Sequence, residues 1–122
     1  MIKIKRVYEK PDIHDGLRIL VDRLWPRGIR RSTSNIDLWI KDVAPSIELR
    51  KWYSHEEKKW PEFEKKYKEE LKENKGFDKI LDIVQKADPV TLLYSTSDKE
   101  HNNAVVLWKV LEKRIVKMRD MK

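Results

Sequence analysis

Val90-Thr91-Leu92-Leu93-Tyr94 is an uncharged run in a chain where 40 % of residues are Asp, Glu, Lys or Arg, and it constrains the fold more than any other segment. Asp88-Pro89 in front of it ends any preceding helix, because proline disfavours the helical conformation in the residue before it. A short run that is apolar in both alternating directions predicts a strand buried on both faces of a parallel sheet. This segment is therefore expected to be the central strand, with the other elements arranged around it.

Two further strands are expected. Ile2 to Tyr8 alternates Ile2, Ile4 and Val7 with Lys3, Lys5 and Arg6, the pattern of a half-buried strand. Pro11, Asp12, Asp15 and Gly16 make a loop. Leu17 to Val21 is then a β-branched run that ends in the stiff segment Trp25-Pro26-Arg27-Gly28.

Helices fill the rest. Asn35 is expected to cap a short one through Lys41, and Ala44-Pro45-Ser46 breaks it and caps another from Ile47 to about Tyr53. Trp60, Phe63, Tyr67 and Leu71 form a helical stripe, with Pro61 in the first turn and Gly76 read as the C-terminal cap. Another amphipathic helix follows from Phe77 to Ala87. Ser97-Asp98-Lys99-Glu100 matches a capping box, with a long last helix whose stripe is Ala104, Leu107, Trp108, Leu111, Ile115 and Met118. The expected architecture is α/β: a small, mainly parallel, Rossmann-like sheet of about three strands layered with four to five helices. Residues 1–122 should form one domain.

Composition narrows the chemistry. There is no cysteine, so disulfides, thiol nucleophiles, iron–sulfur clusters and thiolate zinc sites are excluded. Charges interrupt every apolar run near the N-terminus, so neither a signal peptide nor a membrane span is expected, and a soluble, cytoplasmic protein without a membrane partner is. The Lys- and Glu-rich composition resembles thermophile surfaces. Pairs such as Glu62/Lys66, Glu64/Lys68 and Lys66/Glu70 mark a solvated helix face. Within the net charge of +7, the local basic feature is Arg18, Arg23, Arg27, Arg30 and Arg31 against the single acid Asp22.

Ligands of open α/β sheets bind beyond the carboxyl ends of the strands, and two such ends are polar here. The first is Asp22 to Gly28. Alternation puts Asp22 and Arg23 on opposite sides, and Arg27 beside Pro26 and Gly28 is a candidate fork for phosphate or carboxylate, with Trp25 adjacent. A structural Asp22–Arg23 ion pair with an exposed Arg27 is the competing reading. The second end is Tyr94-Ser95-Thr96-Ser97-Asp98-Lys99-Glu100-His101-Asn102-Asn103, where hydroxyls and free helix amides make an anion site. It has no glycine and no P-loop lysine pattern. His101, expected in the first helical turn, would be kept neutral by the helix dipole and serve as a base, with Asp22 as its catalytic companion. A capping-turn histidine is the bland alternative. Tyr94, Ser95, Asp98, Asn102 and Asn103 complete the expected ligand set with Arg23, Trp25, Arg27 and Gly28.

His14, His55 and His101 are scattered and only Asp98-x-x-His101 has local spacing, so no metal and no cofactor is expected. A Ser95, His101 and Asp22 triad can be drawn on paper but has no nucleophile elbow behind it. Trp60 and Trp108 fall on core stripes, and packing is the expected duty of most of the five tryptophans.

Over nearly its whole length the chain resembles the YeaO-like family, the domain of unknown function 488. The resemblance rests on Asp15-Gly16-x-Arg18, Val21-Asp22-Arg23-Leu24-Trp25-Pro26-Arg27-Gly28, Ala44-Pro45-Ser46-x-x-Leu49-Arg50-x-Trp52, Phe63 with Tyr67 and Glu70-Leu71, and Thr91 to Ser95 through His101-Asn102-Asn103-Ala104. It implies an α/β fold and no established activity. A more distant branch of the group carries Asp-Val-Arg-x-x-Pro after its second strand and Cys-His-Arg near its last helix. Asp22, Pro26 and His101 match, whereas Glu100 and Asn102 replace the cysteine and arginine. Three functions follow as expectations: a pocket for a phosphate-bearing or nucleotide-like anion, a nucleic-acid module built on residues 18–31, or a partner-binding protein without a small ligand.

Overall fold

The computed structural model describes residues 1–121. Its sheet has four parallel strands, β1 (Ile2–Arg6), β2 (Leu17–Leu20), β3 (Leu38–Trp39) and β4 (Val90–Tyr94), in the order β1-β4-β2-β3. The last strand in sequence thus inserts between the first two. Ile4 and Ile19 both register with Leu92, and all five residues of β4 are buried. The uncharged run is central because it can lose water on both faces without burying a charge, whereas its neighbour β2 buries Arg18.

Four helices, α1 (Ile47–Tyr53), α2 (Trp60–Leu71), α3 (Lys75–Lys86) and α4 (Asn103–Asp120), all contribute to one core with Ile2, Ile19, Val90, Leu92 and Tyr94. The opposite face is closed without an α-helix, by loops and the short 3-10 turns at Ile13–Asp15 and Arg31–Thr33. Val7, Leu20 and Leu93 form a second cluster under Trp25, Ile29, Ile36 and Trp39. Beside it the buried Arg18 guanidinium pairs with Asp15, and Thr91 donates to the Asp15 carbonyl at 2.7 Å. The helices therefore cover one side of the sheet, and the segments 12–15 and 21–40 cover the other.

Four expectations are corrected. Residues 35–41 do not form a helix capped by Asn35. Asp37 instead pairs with β2 through the Arg18 carbonyl, and β3 follows as a fourth strand. Two residues show too little periodicity to reveal an edge strand. Gly76 is no C-terminal cap, because it lies buried in the first turn of α3, where an added Cβ would meet the Val43 nitrogen at 2.6 Å. Glu70 does not pair with Lys66, since its carboxylate takes the Ser46 amide at 2.9 Å and hydroxyl at 2.6 Å, fastening α2 to the start of α1. Finally, Ser97 does not begin α4. Asn102 caps it by accepting from the Val105 amide at 3.0 Å, and the asparagine donates in turn to the Asp98 carbonyl at 2.9 Å. An amide side chain carries both an acceptor and a donor, so Asn102 caps the helix and ties it back to Asp98 at once, which a serine hydroxyl of equal capping strength at residue 97 does not do.

Candidate functional site

All four strands point their carboxyl ends the same way, and at that end a cavity of about 970 Å³ opens. The segments after β1, β2 and β4 form one side and α1 with the start of α2 the other. It brings together Asp22, Arg23, Trp25, Arg27, Ser95, His101, Asn102 and Asn103 of the expected set. Three expected members stand elsewhere. Gly28 lines a separate recess, Tyr94 is buried in the main core, and Asp98 reaches the site through His101 and Asn102.

The chain leaves the sheet after Leu20, so strand alternation no longer separates Asp22 from Arg23 and both line the cavity. They do not pair. The Arg23 guanidinium donates to the Pro45 carbonyl at 3.1 Å and the Ala44 carbonyl at 3.3 Å, which ties the loop after β2 to the approach of α1. Asp22 instead accepts the Ser95 amide at 2.9 Å and the Ser95 hydroxyl at 2.8 Å, both on Oδ2. Burial pushes the Asp22 carboxyl above its ordinary range, against the opposing pull of Ser95, Asn103 and Arg50. Around this half-buried acid the backbone is held too: Trp39 Nε1 donates to the Asp22 carbonyl at 2.8 Å, and Asn103 donates to the Val21 carbonyl at 3.0 Å.

His101 sits one residue before the cap of α4, not in its first turn. Its Nδ1 lies 3.0 Å from Asp98 Oδ2, and its ring meets Trp60 edge-on with centroids 5.2 Å apart. The His101 amide, first among the causes, and then the Glu100 amide and the ring hold the Asp98 carboxyl below its usual range against the opposing effect of burial. In a neutral ring this contact places the proton on Nδ1 and leaves Nε2 as the acceptor. The expected anion site at the helix start is therefore filled from within, because Asp98 takes the Glu100 and His101 amides and Asn102 takes that of Val105. The triad fails on the same geometry: Ser95 donates directly to Asp22 while His101 belongs to Asp98.

Glu57, Asp98 and His101 each present one ligand atom within 4.8 Å of the other two, so they are the residues that could hold a divalent ion. Glu57 is exposed, and Asp98 is already engaged by two amides and the ring.

Sequence reasoning missed several lining residues. Arg6 spans the ends of β1 and β4, donating from Nε to the Ser95 and Thr96 carbonyls at 3.0 Å each. Arg50 and Lys51 on α1, and the aromatic group of Tyr53, Trp60 and Phe63, form the far side. Trp60 and Phe63 stack at 5.3 Å with 23° between planes, and Tyr53 lies 4.6 Å from Phe63. Arg50 and Trp52 stand in the motif that carries the family resemblance, a signal that could have drawn attention to α1. The cavity thus gathers Arg6, Arg23, Arg27, Arg50 and Lys51 against one lining carboxylate, Asp22. The remaining arginines of the basic segment disperse. Arg18 is buried on Asp15, and Arg31 lies over Trp25 and Trp39 at 4.9 and 5.2 Å.

A family model described as the inactive DUF488-N3 subclade matches residues 1–122. The chain belongs to this DUF488 subclade. Among its relatives, the uncharacterized protein YeaO of Escherichia coli is 43 % identical over 106 residues, covering 87 % of this chain and 92 % of that one. An uncharacterized protein of Mycobacterium tuberculosis, Rv3073c, is 39 % identical over 113 residues, with 93 % and 95 % covered. No solved structure matches the chain. Within the DUF488 fold described above, the position before His101 carries the exposed Glu100, and the position after it the capping Asn102.

Proposed function

We propose that this DUF488 protein binds a small phosphate-bearing or otherwise anionic molecule in the cavity at the strand ends and holds it without chemical turnover. The observation that carries this reading is the charge of the cavity, five cationic side chains around a single carboxylate. A concave site lined by one sign of charge concentrates counter-ions of the other, and guanidinium forks match phosphate and carboxylate geometry. The volume lies at the upper end of the roughly 300–1,000 Å³ expected of small-ligand pockets.

Binding without turnover takes its support from the description of the subclade as inactive, with the polar groups of the site engaged by neighbours. Ser95 has its hydroxyl proton committed to Asp22, His101 is paired with Asp98, and no side chain supplies a thiol. A binding module of this kind agrees with the description of the subclade as inactive. Arg27 and Arg50 then hold the anion as exposed, adjustable cations, while Arg6 and Arg23, fixed by backbone carbonyls, set the electrostatic floor.

Titration calorimetry with inorganic phosphate tests this. Arg27→Ala and Arg50→Ala should each weaken binding by about 1.5 to 3 kcal/mol, the range for a charge-assisted contact, with little change in folding stability. Equal affinities in wild type and both variants would contradict the reading.

A further inference from the structure

A bare anion would use only part of this cavity. Across from Arg6, Arg23 and Arg27, on the same side as Arg50 and Lys51, stands an apolar group, the half-buried Trp60 with the buried Tyr53 and Phe63, and inside the cavity stands the half-buried carboxylate of Asp22. Inorganic phosphate gains nothing from the first and is repelled by the second. Beside a bound anion the Asp22 carboxylate is costly to keep unless a ligand donor adds to the two Ser95 bonds. Both Ser95 bonds end on Oδ2, so Oδ1 is the oxygen left to take a ligand donor.

We infer that the cavity is built for a nucleoside monophosphate: the phosphate on Arg27, Arg50 and Lys51, a ribose hydroxyl on Asp22 Oδ1, and the base against the Trp60 and Tyr53 side. This rests on the anion-binding reading above and names the ligand class for the same site. Three features require three chemical parts in one molecule. The cations require a doubly charged group. The carboxylate favours a neutral donor, and a sugar hydroxyl supplies one without bringing a second negative charge against it. The aromatic side requires a flat, weakly polar body, and a base stacks on or abuts such rings whatever its identity. Neither Ser95 nor His101 is needed for chemistry on it. Both act as positioning residues, Ser95 fixing the Asp22 carboxylate and His101 bracing Trp60 edge-on.

The test is calorimetry of the full chain with adenosine 5′-monophosphate, ribose 5-phosphate and inorganic phosphate, repeated on Asp22→Asn. An asparagine oxygen can still accept both Ser95 bonds, so near-ultraviolet circular dichroism should confirm an unchanged fold. The nucleotide should bind about tenfold or more tighter than inorganic phosphate, with ribose 5-phosphate between them. Asp22→Asn should weaken the nucleotide by about tenfold and leave inorganic phosphate equal or tighter, since the repelling charge is gone. Inorganic phosphate binding as tightly as the nucleotide, or a nucleotide affinity untouched by Asp22→Asn, would overturn the ligand class while sparing anion binding. If none of the three binds, both readings fall.

Discussion

Asp15 shows how far single side chains of this chain are committed to structure. Burial alone would raise its carboxyl, but the Asp12 amide, Lys5 and Arg18 together outweigh burial and hold it below the ordinary range. A carboxyl depressed in the folded state stabilises above its unfolded value and loses that contribution as pH falls through its folded one. Acid unfolding should accordingly begin to bite below about pH 4, and Asp15→Ala should flatten that limb. The same substitution strands Arg18 in the interior, so it should cost about 3 to 5 kcal/mol at neutral pH in urea denaturation. Asp22 has the opposite sign. Its carboxyl is raised, so its charge is a burden to the fold at neutral pH that protonation relieves, and Asp22→Asn should be neutral or stabilising in the same measurement. A charge carried at a cost to stability is the pattern of a site and supports the role proposed for Asp22, whereas Asp15, seven residues earlier, serves the fold.

Elements differ in how openly the sequence announces them. The β4 run and the α2 stripe were legible because burial on both faces, or on one face every third or fourth residue, leaves a periodic mark. The edge strand β3 leaves none in two residues, and the start of α4 was misplaced because the Ser97-to-Glu100 pattern satisfies a local rule that Asn102 satisfies better in three dimensions. Asn102→Ala should therefore destabilise the protein by about 1 to 2 kcal/mol, the cost of a lost cap with a second bond behind it, whereas Ser97→Ala should be nearly silent in the same thermal melts. Gly76→Ala tests the tight approach of α3 to residues 42–43. Its added carbon would lie within 2.9 Å of the Asp42 carbonyl carbon, so a loss of about 1 to 3 kcal/mol is expected. Of the candidate site, the loop after β2 and the segment after β4 could be read from strand ends. The α1 contribution has its only signal in the Arg50-x-Trp52 motif, because nothing in local spacing says that Arg50 and Tyr53 return to face residues some thirty positions earlier.

At the scale of the whole molecule, the charged side chains serve two uses. Many lie on helix surfaces in pairs that cancel, such as Glu62 with Lys66 and Glu64 with Lys68 at 3.8 and 3.6 Å, worth only a few tenths of a kcal/mol each. Part of the cationic excess, by contrast, converges on one cavity, where Arg6, Arg23, Arg27, Arg50 and Lys51 face the single carboxylate of Asp22. A nucleic-acid module would need its arginines along an extended surface, and retardation of arbitrary oligonucleotides would then fall steeply with salt. The measurement that separates these uses most directly is an amide-resolved nuclear magnetic resonance titration of the full chain with phosphate. The account predicts saturable shifts confined to residues 22–27, 44–55 and 95–103, the three segments that meet at the strand ends. Shifts spread over the lysines of α2 and α4, or none in those three segments, would contradict it.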